Sequence, residues 1–202
     1  MKENFKLGIT LLTVAAIGGI LLGTANMLTK DAILENSKIN KEDLKAVLPK
    51  ADAIQDIEFT ETETVKEVYE AVSGDKVVGH VLKVTSKGFH GPIDFVIAIS
   101  DEDKVSGIRV LSHGETPGLG AKIIEDKFTT RFANKPIAEE LEVVKVTPSK
   151  ENEVEAISGA TTSSKASVSA VNDAIRFYKE NIKGEEVEAK EETDVDTAAT
   201  GS

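Results

Sequence analysis

The stretch Ser158-Gly159-Ala160-Thr161-Thr162-Ser163-Ser164 marks the start of the longest helix that the sequence predicts outside its N-terminal segment. Apolar side chains recur beyond it at helical spacing, at Val168, Val171, Ile175 and Ile182. This spacing predicts a helix over Thr161–Ile182. Gly159 lets the backbone turn sharply just before the helix begins.

The residues before this helix predict a sheet. Four segments have strand character, and they are Val65–Val72, Lys76–Thr85, Ile93–Ser100 and Val105–Leu111. Asp101-Glu102-Asp103 is typical of a hairpin turn between the last two. We also predict a helix over Ile123–Phe132, with Ile124, Phe128 and Phe132 on one stripe, and a strand over Leu141–Val146. Strands followed by helices indicate an α+β fold with a mixed, largely antiparallel sheet.

Composition excludes several kinds of chemistry. The 202 residues contain no Cys, which excludes disulfides, iron–sulfur clusters and thiol catalysis. The three His residues are scattered, so we expect no metal site. A net charge of −11 argues against a nucleic-acid partner.

The N-terminal segment predicts a single membrane-spanning helix. Leu7–Thr29 holds no charged residue, and about 20 such residues cross a hydrocarbon core. A cleaved secretory signal is the alternative, but its apolar core is usually shorter. Lys2 and Lys6 precede the span, while Lys30 is followed by acidic residues, which favours a cytoplasmic N-terminus.

We therefore divide the chain into five parts. Residues 1–6 are a cytoplasmic N-terminus, 7–29 the transmembrane helix, 30–64 a juxtamembrane segment with a short helix over Lys41–Leu48, 65–183 a globular domain and 184–202 an acidic tail. The tail carries seven acidic residues and one Lys, with no large apolar type except Val. Such a composition predicts disorder.

The start of the long helix is suited to holding an anion. The first-turn N–H groups of a helix have no partners within it, and the helix dipole places partial positive charge there. Hydroxyl groups and Lys165, one turn on, add donors for a phosphate. An ordinary helix cap by Ser or Thr is the alternative explanation.

Residues 157–163 resemble the flavinylation motif of FMN-binding-domain proteins, namely the G subunit of the Rnf electron-transport complex and the C subunit of the sodium-pumping NADH:quinone reductase. The resemblance implies an FMN joined through its phosphate to Thr161, by a flavin transferase that uses FAD as donor. Thr162, the next residue along the chain, is the alternative attachment site. Glu155 stands where the motif usually has Asp. By the same resemblance Ser158, Gly159, Ala160, Thr162 and Ser163 are expected to surround the cofactor.

A second stretch strengthens the resemblance. His113-Gly114-Glu115-Thr116-Pro117-Gly118-Leu119-Gly120-Ala121-Lys122 is similar to the Glu-Thr-Pro-Gly-Leu-Gly segment of the same two proteins, and Gly88–Ile93 is similar to a glycine-containing stretch before a family strand. Pro117-Gly118 predicts a tight turn that leaves backbone amides accessible. We expect further cofactor contacts from Glu115, Thr116, Pro117, Gly118, Leu119, Gly120 and Lys122. His113 is expected to be a structural, hydrogen-bonded residue, with a flavin contact or proton relay as the alternative.

The resemblance implies an electron carrier without a catalytic site of its own. It would work in the cell membrane among the other subunits of an Rnf complex, which passes electrons between ferredoxin and NAD, with the FMN domain outside the cytoplasm. The C subunit of the quinone reductase is the near alternative, although it is usually longer. A membrane-tethered module that binds a phosphorylated ligand without redox function is the alternative from another class.

Overall fold

The computed structural model describes residues 2–36 and 39–185. Most of the predicted acidic tail, residues 186–202, lies outside the described residues. The chain separates into two compact units, residues 1–43 and 44–202.

The first unit contains one long helix, α1, over Lys2–Asn36. Its window Gly8–Ala25 has a mean hydropathy of 1.9, and none of that window is buried inside the protein. Leu11, Leu12 and Leu22 are each at least 70% exposed. By length and composition this helix is able to cross a membrane, as the sequence predicts.

The short juxtamembrane helix is also present, as α2 over Lys41–Val47. The Asn40 side chain accepts a hydrogen bond from Asp43 N at 2.9 Å, and Asp43 Oδ2 accepts one from Asn40 N at 3.2 Å. This reciprocal pair satisfies donors at the start of the helix. Leu44, Val47 and Leu48 are buried at helical spacing.

A six-stranded antiparallel sheet forms the centre of the second unit. Its strands follow chain order and are β1 Ala53–Asp56, β2 Val65–Ser73, β3 Lys76–Lys87, β4 Pro92–Ser100, β5 Lys104–His113 and β6 Lys135–Pro136. The four predicted strands are all present. β1 and β6 were not predicted, since neither has a run of β-branched residues long enough to indicate a strand. In the strand register, Lys87 pairs with Pro92 and Ile93 pairs with His113. The end of β3, the start of β4 and the end of β5 therefore lie side by side at the same end of the sheet.

The last helix, α4, covers Thr161–Phe177 and packs across β3 and β4. It continues as a π-helical turn over Tyr178–Ile182, so the predicted helix Thr161–Ile182 is present in two parts. Val168, Val171 and Ile175 are buried in the same cluster as the sheet residues Leu82 and Ile97. Burying one such side chain contributes about 1.5–3 kcal/mol relative to exposure.

The prediction of one helix over Ile123–Phe132 is wrong. The segment is a 3₁₀ turn Gly120–Ile124, an α-turn α3 Asp126–Thr129 and a 3₁₀ turn Thr130–Phe132, and it breaks at Glu125, whose φ and ψ are −72° and 140°. With three residues per turn, Ile123 points inward while Ile124 is 55% exposed. The predicted stripe therefore holds for Phe128 and Phe132 but not for Ile124.

The strand predicted over Leu141–Val146 is shorter than expected. It is β7, Glu142–Val144, and it pairs in parallel with β8, Glu153–Glu155, in a separate two-stranded sheet. β8 was not predicted. Lys135 donates to the carbonyls of Glu151 and Glu153 at 2.7 and 2.8 Å, which connects β6 to the segment that leads into α4.

Candidate functional site

The turn before α4 places Thr161 at the first helical position. Gly159 has φ +78°, a left-handed conformation that favours glycine. Ala160, the residue that precedes the helix, has φ −137° and ψ 44°, and its N–H donates to Ile157 O at 3.0 Å. The first helical hydrogen bond runs from Ser164 N to Ala160 O at 3.0 Å.

Two of the clustered hydroxyl groups are used within the protein. The buried Ser164 hydroxyl accepts from Ile157 N at 2.9 Å and donates to Ala160 O at 2.9 Å, so it closes the turn on itself. The buried Ser163 hydroxyl donates to the Glu115 carboxylate. Both hydroxyl groups therefore already donate their protons within the protein.

The remaining donors at this helix start face no acceptor within residues 2–36 and 39–185. Ala160 offers no side-chain cap. Among residues 2–36 and 39–185, none accepts a hydrogen bond from the N–H groups of Thr161, Thr162 or Ser163, or from the Thr161 hydroxyl. Such a helix start is able to bind an anion, since its N–H groups and its dipole both favour negative charge.

Glu115 joins three segments around this helix start. Its side chain is 4% exposed. One carboxylate oxygen accepts from the N–H groups of Phe89 and His90 at 2.9 and 3.0 Å, and the other accepts from Ser163. Glu115 therefore fixes the loop before β4, the turn after β5 and the beginning of α4 relative to one another.

Burial and hydrogen bonding act in opposite directions on this carboxyl. Burial raises the pKa of Glu115, while the hydrogen bonds from Ser163, His90 and Phe89 lower it, and the hydrogen bonds prevail. The group is therefore charged at neutral pH. Its surroundings leave no room for extra atoms, since a Cβ on Gly120 would lie 2.5 Å from Glu115 Oε2 and 2.6 Å from Ser163 Oγ.

The turn after β5 has the form that its sequence predicts. Gly118 has φ +76° after Pro117, and Leu119 N donates to Thr116 O at 3.2 Å, as in a type II turn. Thr161 lies in the walls of two clefts, and the exposed residues Pro117 and Gly118 line neither of them. Thr116, Leu119 and Gly120 do reach the site.

Two clefts meet at Thr161 and Gly159. The smaller one has a volume of about 220 Å³. One side is lined by Phe89, Glu115, Thr116, Leu119 and Gly120, and the other side by residues 159–163. Phe89 is 68% exposed and Leu119 is 49% exposed, so its rim is apolar. Thr162 is exposed and lines only this cleft, whereas the half-buried Thr161 lines both.

The larger cleft has a volume of about 500 Å³ and a basic lining. We call it the basic cleft. Its charged residues are Lys122, Lys127, Arg131 and Lys145, with Glu125 and Glu155 opposite in sign, and Ser158 lies beside Thr161 in its wall. Sequence analysis predicted Lys122 and Ser158 but missed Lys127, Arg131 and Lys145. No local pattern indicates them, because α3 and the end of β7 bring them together only in the fold.

Three other residues discussed from the sequence, His113, Lys165 and Glu155, lie at different positions around the site. His113 Nδ1 accepts from Glu115 N at 3.1 Å, and the ring lines a different cleft, with Arg109 and Asp126. Lys165 is exposed and lines neither cleft at Thr161. Glu155 lies in the wall of the basic cleft, with Oε2 3.9 Å from an Arg131 nitrogen.

Comparisons with known proteins match this region. Residues 88–176, which contain the loop before β4, the turn and most of α4, match the FMN-binding domain family. The G subunit of the Na(+)-translocating ferredoxin:NAD(+) oxidoreductase complex of Acetobacterium woodii is 35% identical over 193 residues, 88% of this chain and 93% of that protein.

Two further relatives have related names. The G subunit of the proton-translocating ferredoxin:NAD(+) oxidoreductase complex of Clostridium ljungdahlii is 31% identical, covering 79% of this chain and 83% of that protein. The G subunit of the ion-translocating oxidoreductase complex of Methanosarcina acetivorans is 32% identical, covering 87% and 95%.

Proposed function

Since this chain belongs to the family of G subunits of the Rnf ion-translocating oxidoreductase complexes, we propose that it is a membrane-anchored electron carrier that relays electrons through FMN. Bound FMN takes up and releases one or two electrons, so the redox chemistry belongs to the cofactor and the protein sets its position. The family contains relatives whose names specify sodium and relatives whose names specify protons as the translocated ion.

The residues at the start of α4 fit the phosphate of FMN. Three backbone N–H groups and the Thr161 hydroxyl lack protein partners among the described residues, and the helix dipole favours an anion there. The apolar rim formed by Phe89 and Leu119 beside this point suits a flat ring system. Thr116 and the backbone of Gly120 would supply polar contacts to the edge of that ring.

We propose that the attachment is covalent and that Thr161 carries it. A flavin transferase would join the Thr161 oxygen to the flavin-side phosphorus of FAD. The diphosphate P–O bond breaks, AMP leaves with the hydroxyl proton, and no electrons are transferred. The observation that supports Thr161 is its place in the wall of both clefts, with a hydroxyl that no described residue occupies. Thr162 is exposed and lines one cleft only.

A matched pair of variants tests the attachment. The full chain, co-expressed with a flavin transferase, should give a fluorescent band on a denaturing gel and gain the mass of one FMN less one water. Thr161→Ala should abolish both signals, while Thr162→Ala should keep them. A fluorescent Thr161→Ala variant would show that another residue carries the flavin. Wild-type chain that binds phosphate but never acquires a flavin would favour the phosphate-binding module without redox function.

We further propose that α1 is retained as a membrane anchor and that the FMN domain lies outside the cytoplasm. The hydropathy of Gly8–Ala25 supports an anchor, and Lys2 and Lys6 before it support a cytoplasmic N-terminus. The chain has no Cys, so a single Lys104→Cys substitution gives a clean reporter at an exposed strand end. A membrane-impermeant maleimide should label it in intact cells, and labelling only after lysis would reverse the topology.

A further inference from the structure

The basic cleft has an excess of positive charge beside Thr161. Four cationic side chains line it against two carboxylates, although the whole chain has a net charge of −11. Within the described part of the chain, Lys122, Lys127 and Lys145 form no ion pair. A cleft in which cations outnumber carboxylates is a common arrangement for binding phosphate groups.

Arg131 has a different function from the three lysines. Its guanidinium donates to the carbonyls of Glu155 and Lys127 and lies 5.7 Å from the centre of the Phe128 ring. These contacts hold α3 against β8 and form the floor of the cleft. The lysines project around it, with Lys127 and Lys145 exposed and Lys122 half-buried. The cleft therefore has a fixed base, and its long lysine side chains are able to adjust to a ligand.

A covalent attachment at Thr161 brings an anionic donor next to this cleft. The donor dinucleotide is anionic, and the acidic surface of this protein would repel it. The smaller cleft has an apolar rim and would take the flavin end. The donor's other end, an adenylate, carries the second phosphate, on which negative charge builds up as the diphosphate bond breaks. Thr161 lies where the two clefts meet, so a donor that reacts at Thr161 can place its two ends on different sides of this residue.

We propose that the basic cleft is a subsite for the adenylate half of the flavin donor, and that Lys127 and Lys145 bind its phosphate while Thr161 reacts. The proposal rests on the covalent attachment at Thr161. In the step, the bond from the Thr161 oxygen to the flavin-side phosphorus forms and the bond from that phosphorus to the bridging oxygen breaks. AMP leaves with the hydroxyl proton. The cleft is needed for maturation and is free once AMP has left.

Charge reversal with a matched control tests the proposal on the full chain in detergent. The test variant is Lys127→Glu/Lys145→Glu. The control is Lys76→Glu/Lys104→Glu, which changes the net charge equally but lies at the opposite ends of β3 and β5 from the candidate site. Among the described residues, Lys76 forms one ion pair, an exposed pair with Asp101. We expect the test variant to lower the initial rate of flavin attachment at least tenfold, and the control to stay within twofold of wild type. Lys127→Arg/Lys145→Arg should retain at least half the wild-type rate.

A binding measurement with AMP gives a second readout that needs no transferase. AMP should bind the unmodified chain, and the test variant should bind it at least tenfold more weakly than the control. Equal rates and equal AMP binding in both variants would overturn the proposal. So would normal attachment in the test variant combined with an altered flavin absorption spectrum or midpoint potential, because the cleft would then hold the flavin itself. Wild-type chain that acquires no flavin would refute the attachment instead, whatever AMP does.

Discussion

Replacing Glu115 by Gln removes one charge from the buried junction of three segments and preserves its shape. In the protein the carboxylate accepts from Phe89 N, His90 N and the Ser163 hydroxyl. Gln can keep its oxygen toward the two N–H groups, but its amide nitrogen then faces Ser163, which must become an acceptor. All three interactions persist in weaker form.

The magnitude follows from the number and kind of these bonds. A hydrogen bond to a charged group contributes about 1.5–3 kcal/mol, roughly twice as much as a neutral one. Weakening three of them by half predicts a loss of about 2–4 kcal/mol in the free energy of unfolding at neutral pH. Glu139→Gln is the control, because Glu139 is exposed and no ion pair is described for it, and it should change the value by less than about 0.5 kcal/mol.

The loss should depend on pH with a definite sign. Because the fold lowers the pKa of Glu115, the charged carboxylate contributes its full stability above the unfolded pKa, near 4.5. That contribution disappears as the pH falls through the lower folded pKa. The difference between wild type and Glu115→Gln should therefore be largest at neutral pH and shrink progressively below about pH 4.5.

Urea unfolding measures this difference directly. The chain has no Trp and two Tyr residues, Tyr69 in β2 and Tyr178 after α4, so Tyr fluorescence reports on the globular domain even with α1 in detergent. A loss at neutral pH no larger than that of Glu139→Gln would refute the role given to Glu115. A loss that stays constant down to about pH 3, well below the unfolded pKa, would refute its attribution to the charge.

Two glycine substitutions make further predictions about the same junction. Gly120→Ala places a Cβ 2.5 Å from Glu115 Oε2 and 2.6 Å from Ser163 Oγ. Urea unfolding should therefore show a loss of about 1–3 kcal/mol in the free energy of unfolding. Gly114→Ala is the control and should be nearly neutral, because its Cβ meets only His90 O, at 3.7 Å. Gly159→Ala forces a Cβ into a left-handed residue and should cost about 1–2 kcal/mol and slow flavin attachment. Gly184→Ala has similar strain at φ +69° with open space around it, and its attachment rate should equal that of wild type; a slowed Gly184→Ala would contradict the local explanation.

The parts of the fold that sequence predicts are those with a local cause. Segments rich in Val, Ile and aromatic residues predicted β2 to β5, and regular apolar spacing predicted α4. β8 escaped prediction because three residues, Glu153–Glu155, are too few to show the alternation by which a strand is recognised. The helix predicted over Ile123–Phe132 failed for a related reason. A 3.6-residue period fitted its apolar residues, but the turn at Glu125 and the 3₁₀ pitch place Ile123 inward instead of Ile124.

The features of the candidate site were likewise predictable from the sequence only where their cause is local. Its backbone features, the turn at Pro117-Gly118 and the glycine before α4, are local and were predictable. The cations at Lys127 and Lys145 were not, since they come from separate elements that meet only when β7 pairs with β8. Glu115 was predicted as a cofactor contact because its motif suggested one. Glu115 lines the smaller cleft, so its contact with the cofactor stays a prediction, and both of its carboxylate oxygens also accept hydrogen bonds from protein donors.

An ordinary helix cap does not account for the hydroxyl cluster before and within the first turn of α4. A cap would use a hydroxyl on the residue before the helix, and that residue is Ala160, which has none. The two serines that follow are buried and used: Ser164 closes the turn and Ser163 binds Glu115. Their hydroxyls hold the helix start in place while leaving its first N–H groups open. A cap would have accepted from one of those N–H groups, whereas Ala160 leaves the helix start open for the phosphate that we propose it binds. Because Ser163 and Ser164 donate their hydroxyl protons within the protein, the choice of a reactive hydroxyl is left between Ser158, Thr161 and Thr162, and of these three only Thr161 lines both clefts.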